Sequence, residues 1–328
     1  MWNSEIKRTF LVIGAALMTI ALVGNLAAQN YPTKPIRLVV GFPPGGGPDV
    51  TGRVIAQKMS ESLGQSIIVE NRPGASGFIA IERVASSPAD GYTLLMMSSN
   101  DTALPALRTK LPYDLERDLA PVTLVTMGPM LLVIRSSLPV QNVRELIAMA
   151  RSQPGLLKFG SGGAGGTVHL TAELFNSLAK VSIVHVPFKG SSDIVVAIAA
   201  GQIDMSFPSI TIAQPLIDTG KLRPLAVTSM KRMSTIPMIP TLDESGLPGY
   251  DRSAWYGVAA PAGVPKNIIL RLNVEIARAV GTTEVKESFS KQGLEVRTDS
   301  PEWFAAFIRS EIVQNAKLVQ LAGVKPDQ

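Results

Sequence analysis

Two glycine-rich turns lie about a third of the chain apart, each between an apolar run and a helical pattern. The first is Pro43-Pro44-Gly45-Gly46-Gly47-Pro48-Asp49, after Ile36-Arg37-Leu38-Val39-Val40. The second is Gly160-Ser161-Gly162-Gly163-Ala164-Gly165-Gly166-Thr167, after Leu156-Leu157-Lys158-Phe159. Glycine lets bare backbone approach a ligand, and the first amides of the following helix lack intrahelical acceptors and carry partial positive charge. Each turn is therefore an anion site in outline, and two on separate lobes make the halves of a clamp for a small anion. The apolar Phe42-Pro43-Pro44 suits a carboxylate whose carbon chain needs cover. The plainer alternative for either turn alone is a tight bend whose glycines serve backbone geometry only.

Other chemistries fit less well. Gly160-Ser161-Gly162-Gly163-Ala164-Gly165 satisfies G-x-G-x-x-G, which leaves an NAD(P)-dependent oxidoreductase open as an alternative. The acid expected about 20 positions on is replaced by Val186-Pro187-Phe188-Lys189, whose lysine suits a 2′-phosphate. The first turn lacks the Gly-Lys-Ser/Thr ending of a P-loop, and Phe159 stands where a nucleophile elbow around Ser161 needs glycine. Of the two histidines, His169 falls in the first turn of the helix after the second loop and faces whatever that loop holds. It reads as a lining or capping residue, since no orienting carboxylate for a general base is evident. His185 lies in an apolar strand and reads as a satisfied core residue. Two histidines and no cysteine leave little for a metal site and no disulfide framework. Ser98-Ser99-Asn100-Asp101 falls at the carboxyl edge of a strand, where open α/β sheets bind ligands. Asp101 either caps the next helix or reaches a ligand amine, and Asp204 poses the same choice in the second half.

Lys and Arg outnumber Asp and Glu 31 to 26, a net charge of +5. The basic residues are scattered singly, which argues against nucleic acid and for a mild field favouring anionic small molecules. Lys7-Arg8, the apolar run Phe10–Val23 and Ala27-Ala28 read as a secretory signal over residues 1–28, although Leu26 fits the −3 position poorly. The run is short against the roughly 20 residues of a membrane anchor. The expected compartment is the bacterial periplasm. The remaining chain of about 300 residues exceeds what one core usually supports, so two lobes are expected.

Elements must then bring the two turns together. The pattern opens βαβαβ: Ile36–Val40, a helix from Asp49 (as N-cap) to Leu63, Ile67–Val69, a helix near Phe78–Ser86, and Tyr92–Met97. Strands follow near Val122–Val125 and Leu131–Ile134. Asn142 with Glu145 forms a capping box, and the alternation continues through a strand at Ile203–Phe207 to Thr228. Met230–Gly249 reads as connection, followed by a strand at Trp255–Ala259 and closing helices, the last capped by Ser300-Pro301. The closing helices send the chain back to the first lobe. The expected domains are 29–130 with 255–328, and 131–254.

A set of motifs runs in order over nearly the whole chain: Tyr31-Pro-Thr-Lys-Pro-Ile36, Phe42-Pro-Pro-Gly-Gly-Gly-Pro-Asp49 with Arg53, Glu70-Asn-Arg-Pro-Gly-Ala-Ser-Gly77, Asp90-Gly-Tyr-Thr-Leu94 and Leu111-Pro-Tyr-Asp114. It continues with His169-Leu170, Glu173-Leu-Phe175, His185-Val-Pro-Phe-Lys-Gly190, Gly201-Gln-Ile-Asp204, Ser253-Ala-Trp-Tyr-Gly257 and Ala260-Pro-Ala-Gly263. As a set it resembles the periplasmic solute receptors of tripartite tricarboxylate transporters, the Bug family. The resemblance implies a two-lobed type II periplasmic-binding-protein fold, each lobe a mostly parallel sheet flanked by helices. It implies a monomeric, non-catalytic receptor without cofactor that closes on a small organic acid and delivers it to integral-membrane transporter subunits. A sensor docking to a signalling receptor is the other outlet. By position, the resemblance points to Phe42, Pro43, Gly46, Ser98, Asn100, Ser161, Gly162, Thr167 and His169, with Asp204 facing the distal end of the ligand. Asp101-Thr102 departs from the family pattern beside the ligand loop. If Asp101 faces the cleft, its charge disfavours dianions.

Overall fold

The computed structural model describes residues 31–326, so the expected signal segment lies outside the described residues. The chain opens with β1 (Ile36–Val40), α1 (Gly47–Leu63), β2 (Ile67–Asn71), α2 (Phe78–Ala85), β3 (Thr93–Ser98), the short α3 (Leu104–Leu107) and the long β4 (Leu119–Pro129). It continues through β5 (Leu131–Arg135), α4 (Val143–Ser152), β6 (Lys158–Ser161), α5 (Thr167–Ala179), β7 (Val184–Pro187), α6 (Ser191–Ala199), β8 (Met205–Ser206), α7 (Ile210–Asp218) and β9 (Leu222–Val227). It closes with β10 (Ser253–Pro261), α8 (Lys266–Val280), α9 (Thr283–Lys291), β11 (Glu295–Val296) and α10 (Pro301–Leu321).

Two sheets result, ordered β11-β4-β10-β3-β1-β2 and β7-β6-β8-β5-β9. Both are mixed rather than mostly parallel. β1 pairs parallel with β2 and β3, but β10 runs antiparallel to β3 and β4. In the second sheet β6 is parallel to β7 and β8, while β5 is antiparallel to β8 and β9. β5 and β10, which run against their neighbours, are the strands by which the chain enters one sheet from the other, and the short β11 also pairs antiparallel with β4.

Helices cover both faces, as strands apolar on both sides require. In β1, Leu38 and Val40 pack with Ile55 and Met59 of α1 and Leu272 and Ile276 of α8, while Val39 joins Ile81, Trp255, Phe304 and Ile308 on the other face. Burying each such side chain contributes about 1.5–3 kcal/mol. Close packing of α10 depends on Gly257, where a Cβ would collide with the Phe304 ring. The second sheet is covered alike, with Ile134, Phe159, Phe175 and Phe207 in one layer and Val133, Ile194, Ile198 and Ala213 in the other.

One buried residue ties the two connections between the sheets. Thr228 donates its N–H to Met130 O (3.0 Å) and its hydroxyl to Arg252 O (2.6 Å). In return, Met130 N–H donates to Thr228 Oγ1 (2.8 Å) and Arg252 N–H to Thr228 O (2.8 Å). From there Arg252 Nη2 donates to Asn315 Oδ1 (3.0 Å) and Asn315 Nδ2 to Thr102 Oγ1 (2.8 Å), linking the connections to the loop after β3.

Candidate functional site

The first glycine turn is locked inside its own lobe. The helix starts at Gly47 with Gly46 as N-cap, so Asp49 is its third residue rather than the cap. Pro48 fits the first turn because the missing N–H has no intrahelical acceptor there. Asp49, only 2% exposed, accepts from Gly45 N (2.9 Å), Arg53 Nε (2.9 Å) and Asn71 Nδ2 (2.8 Å). Burial opposes its charge, but those three donors outweigh it and hold the carboxyl below its ordinary value. Asn71 Nδ2 also donates to Phe42 O (3.1 Å), which fixes the entry to the turn. Gly45 adopts φ +84, and a Cβ on Gly47 would collide with the Tyr256 hydroxyl. At Gly46, by contrast, a Cβ would meet nothing closer than Pro43 O at 3.5 Å. The position that demands glycine on steric grounds is therefore Gly47. Tyr256 belongs to this turn and was missed in the sequence because an aromatic residue inside a strand reads as core.

Tyr256 stands opposite Ser98 across β10 and β3, and Asn100 follows two residues later, so the first turn and the loop after β3 are neighbours. That loop reaches the second turn. Asn100 Oδ1 accepts from both Thr167 N and Thr167 Oγ1 (2.8 Å each), and Ser99 Oγ bonds Thr167 Oγ1 (3.1 Å). Asn100 and Thr167, both expected to face a ligand, meet each other. The N-cap of α5, Gly166, has no side chain to cap with, and Asn100 supplies that cap from the other lobe. Leu107 packs against Gly165, and Ala103, Leu170, Leu318 and Val319 close an apolar cluster behind.

Asp101 follows neither expected course. It is 2% exposed and accepts from Ser98 N (2.8 Å) and Ser98 Oγ (3.3 Å), against Gly77, where a Cβ would sit 2.8 Å from Oδ1. It does not cap the following helix, its carboxyl turns to Ser98 and away from the surface, and it takes up the Ser98 hydroxyl expected as a donor. Burial pushes its carboxyl up to about 7, against the pull of the two Ser98 donors.

The second turn is organised by imidazoles. His169 Nδ1 accepts from Gly165 N (2.8 Å), which places its ring proton on Nε2, 3.6 Å from Glu173 Oε1. Glu173 is the orienting carboxylate that escaped the sequence reading, although its spacing of four from His169 on a helix is the signal that finds it. His185 is not a satisfied core residue. It is half-buried, its Nε2 lies 2.6 Å from Ser161 Oγ, and its ring stacks on His169 at 3.9 Å with 19° between planes. An edge strand leaves that ring one open side. Burial, then His169, push His185 down to about 4, with Glu173 opposing. Ser161 is buried and its hydroxyl donates to Gly163 O (2.9 Å), whereas Gly162 is exposed with open space where a Cβ would be.

Asp204 does not face this site. It accepts from Arg135 Nε (2.8 Å) and from Lys158 N (2.8 Å) at the start of β6, while the glycine turn leaves the other end of that strand. Its role is to close the short β8 against β6.

Two lobes on mixed sheets, joined by paired connections and each opening a helix at a glycine turn beside the same loop, define a periplasmic solute-binding protein. The family model described as "Tripartite tricarboxylate transporter family receptor" matches residues 51–324. The chain belongs to that family, whose members are receptors and not enzymes, which removes the oxidoreductase reading of Gly160–Gly165. It is 36% identical over 323 residues to protein BugT of Bordetella pertussis, covering 98% of this chain and 99% of the relative. Among solved structures it is similar to R. palustris Rpa4515 with adipate (TM-score 0.83, 36% identity, 90% of this chain and 100% of that one). It is likewise similar to MatC (Rpa3494) from Rhodopseudomonas palustris with bound malate (TM-score 0.78, 32% identity, 88% and 100%).

Proposed function

We propose that the chain captures a small organic acid by its carboxylate between lobes of residues 29–130 with 255–328 and residues 131–254. It does so in the periplasm after loss of residues 1–28, and delivers the acid to the integral-membrane subunits of a tripartite tricarboxylate transporter. The observation that carries this reading is the first turn, where Asp49 fixes the loop from behind and the Gly47 and Asp49 amides open the helix without intrahelical acceptors. Phe42, Pro43 and Gly46 flank it, with the Tyr256 hydroxyl against Gly47; exposed Gly162, beside Ser161, serves the far end. The adipate and malate complexes of its relatives support a carboxylate ligand.

The Asp101 carboxyl is engaged by Ser98, and the adipate and malate bound by the relatives each carry two carboxylates, so dicarboxylates belong in the accepted class. The test is a melting-temperature panel of adipate, malate, benzoate and a dication control. A ligand at a hundred times its Kd stabilises by about 2.7 kcal/mol, enough for a shift of several degrees. A dicarboxylate should shift the transition and the dication should not; a panel in which no acid moves it would sink the proposal.

A further inference from the structure

We propose that Ser161, His185 and His169 form a proton-linked carboxylate subsite at the second glycine turn, in which an acid bound against Ser161 draws a proton onto His185. The inference rests on the carboxylate reading of the site above and names a function for an imidazole pair that reading leaves unused.

The geometry assigns each proton. The Gly165 amide donates to His169 Nδ1, so the neutral His169 ring carries its hydrogen on Nε2, facing Glu173. That ring is therefore fixed in tautomer and in plane. His185 lies flat against it at 3.9 Å and reaches Ser161 Oγ with Nε2 at 2.6 Å. The single hydroxyl hydrogen of Ser161 goes to Gly163 O, so neutral His185 carries its hydrogen on Nε2 and donates it to Ser161 Oγ, which makes Nδ1 the atom that takes a second proton. When solvent supplies a proton to Nδ1, the ring becomes a cation that attracts an anion at the turn, while both hydrogen bonds of Ser161 stay as they are. One proton moves from solvent to His185 Nδ1, and no other covalent bond changes.

Neighbours set the balance. The titratable side chains facing His185 are His169 and Glu173, both on α5. β6 presents the Phe159 ring, stacked at 5.1 Å, and Ser161. Beyond β7 the nearest charged residues in sequence, Lys189 and Asp193, are exposed. In the empty site burial and His169 keep His185 neutral, with a midpoint pushed down to about 4. A carboxylate at the turn adds the missing negative charge, and Glu173 is already placed to share it. Affinity then rises as pH falls. If the ligand restores His185 to an ordinary midpoint near 6.5, binding is about tenfold tighter at pH 5.5 than at pH 8. The acid's own protonation over that range works in the opposite sense and cannot imitate the effect.

The chain has only two histidines, so imidazole NMR resolves the pair directly, with His185→Asn assigning the signals. The experiment titrates the protein alone and with adipate or malate, and follows the amides of both turns, with calorimetry at pH 5.5 and 8 in buffers of different ionisation heat. The expected result is an upward move of the His185 midpoint by about two and a half units on binding, proton uptake at pH 5.5, and an about tenfold rise in affinity from pH 8 to 5.5. His185→Asn, which keeps a polar group for Ser161, should lose the pH dependence. If the acid shifts the amides of either turn while the His185 midpoint stays where it was, the subsite is overturned and the receptor reading stands. If neither acid perturbs either turn, the receptor reading itself fails and takes the subsite with it.

Discussion

The two glycine turns look alike in sequence and are held in opposite ways. The first is braced from within its own lobe by a buried carboxylate, Asp49, whose partners Gly45, Arg53 and Asn71 all lie between residues 45 and 71. The second is braced by a neutral imidazole, His169, and by Asn100 from across the lobe boundary. An anion site built on the first turn exists whatever the lobes do. A site on the second exists in full only when the loop after β3 is docked against α5. On the function proposed above, the first turn captures the ligand and the second engages it as the loop after β3 docks.

The sharpest way to break this comparison is at Gly47. Gly47→Val drives a side chain into the Tyr256 hydroxyl and over the helix amides, and should weaken carboxylate binding at least about tenfold, or 1.4 kcal/mol, by calorimetry. Gly46→Ala, which meets only ordinary contacts, should change affinity by less than about threefold. Equal losses at both positions would mean that the turn binds through overall flexibility rather than through the amides at Gly47. Next in size, Asp49→Ala strips a charged acceptor from three donors and should cost about 2 kcal/mol or more in chemical denaturation, with binding impaired alongside.

A smaller contrast lies between the buried acid of one lobe and the imidazole of the other. The Asp101 midpoint is about 7 in the fold against 3.8 ordinarily, so between those values the folded state keeps a proton that the unfolded chain releases, and stability falls as pH rises. His185 is depressed to about 4 from 6.5, so over that window the unfolded chain holds the extra proton and stability falls as pH drops. The two slopes oppose each other between about pH 4 and 6.5. Asp101→Asn should raise the melting temperature at pH 8 and leave a profile that climbs with pH. His185→Asn should leave one that descends. Parallel profiles for the two variants would show that these groups do not carry the pH dependence. The smallest effect belongs to Asn100→Ala, which removes the cap of α5 and should cost about 1 kcal/mol while shifting solution scattering toward a more open form. An unchanged scattering profile would confine Asn100 to local capping.

What could be read in the sequence was local chemistry. Asn142 caps α4 and accepts from Glu145 N (3.0 Å), and Ser300 accepts from Trp303 N (3.1 Å) with Pro301 behind it, both visible as spacings of three. Doubly buried strands such as β1 and β3 were evident from their apolar runs, and β8 was found within a longer expected strand, Ile203–Phe207, whereas the two-residue β11 carries too little pattern to find. The site residues were identified by type more reliably than by partner. Asn100 and Thr167 lie 67 positions apart and their bond is purely tertiary. Asp101 and His185 were misjudged because burial, which no local spacing reports, decides whether a carboxyl shows its charge and whether an imidazole in an apolar strand is enclosed. Asp204 was misplaced because a strand has two ends, and only the register with Lys158 says which one it occupies.

The central claim is that a ligand carboxylate rests on the amides that open α1. A crystal structure of the complex with whichever acid gives the largest melting shift tests it most directly. The account predicts a carboxylate within hydrogen-bond distance of the Gly47 and Asp49 amides, beneath the Tyr256 hydroxyl. A bound acid whose carboxylates are held elsewhere, with those two amides facing water, would contradict it.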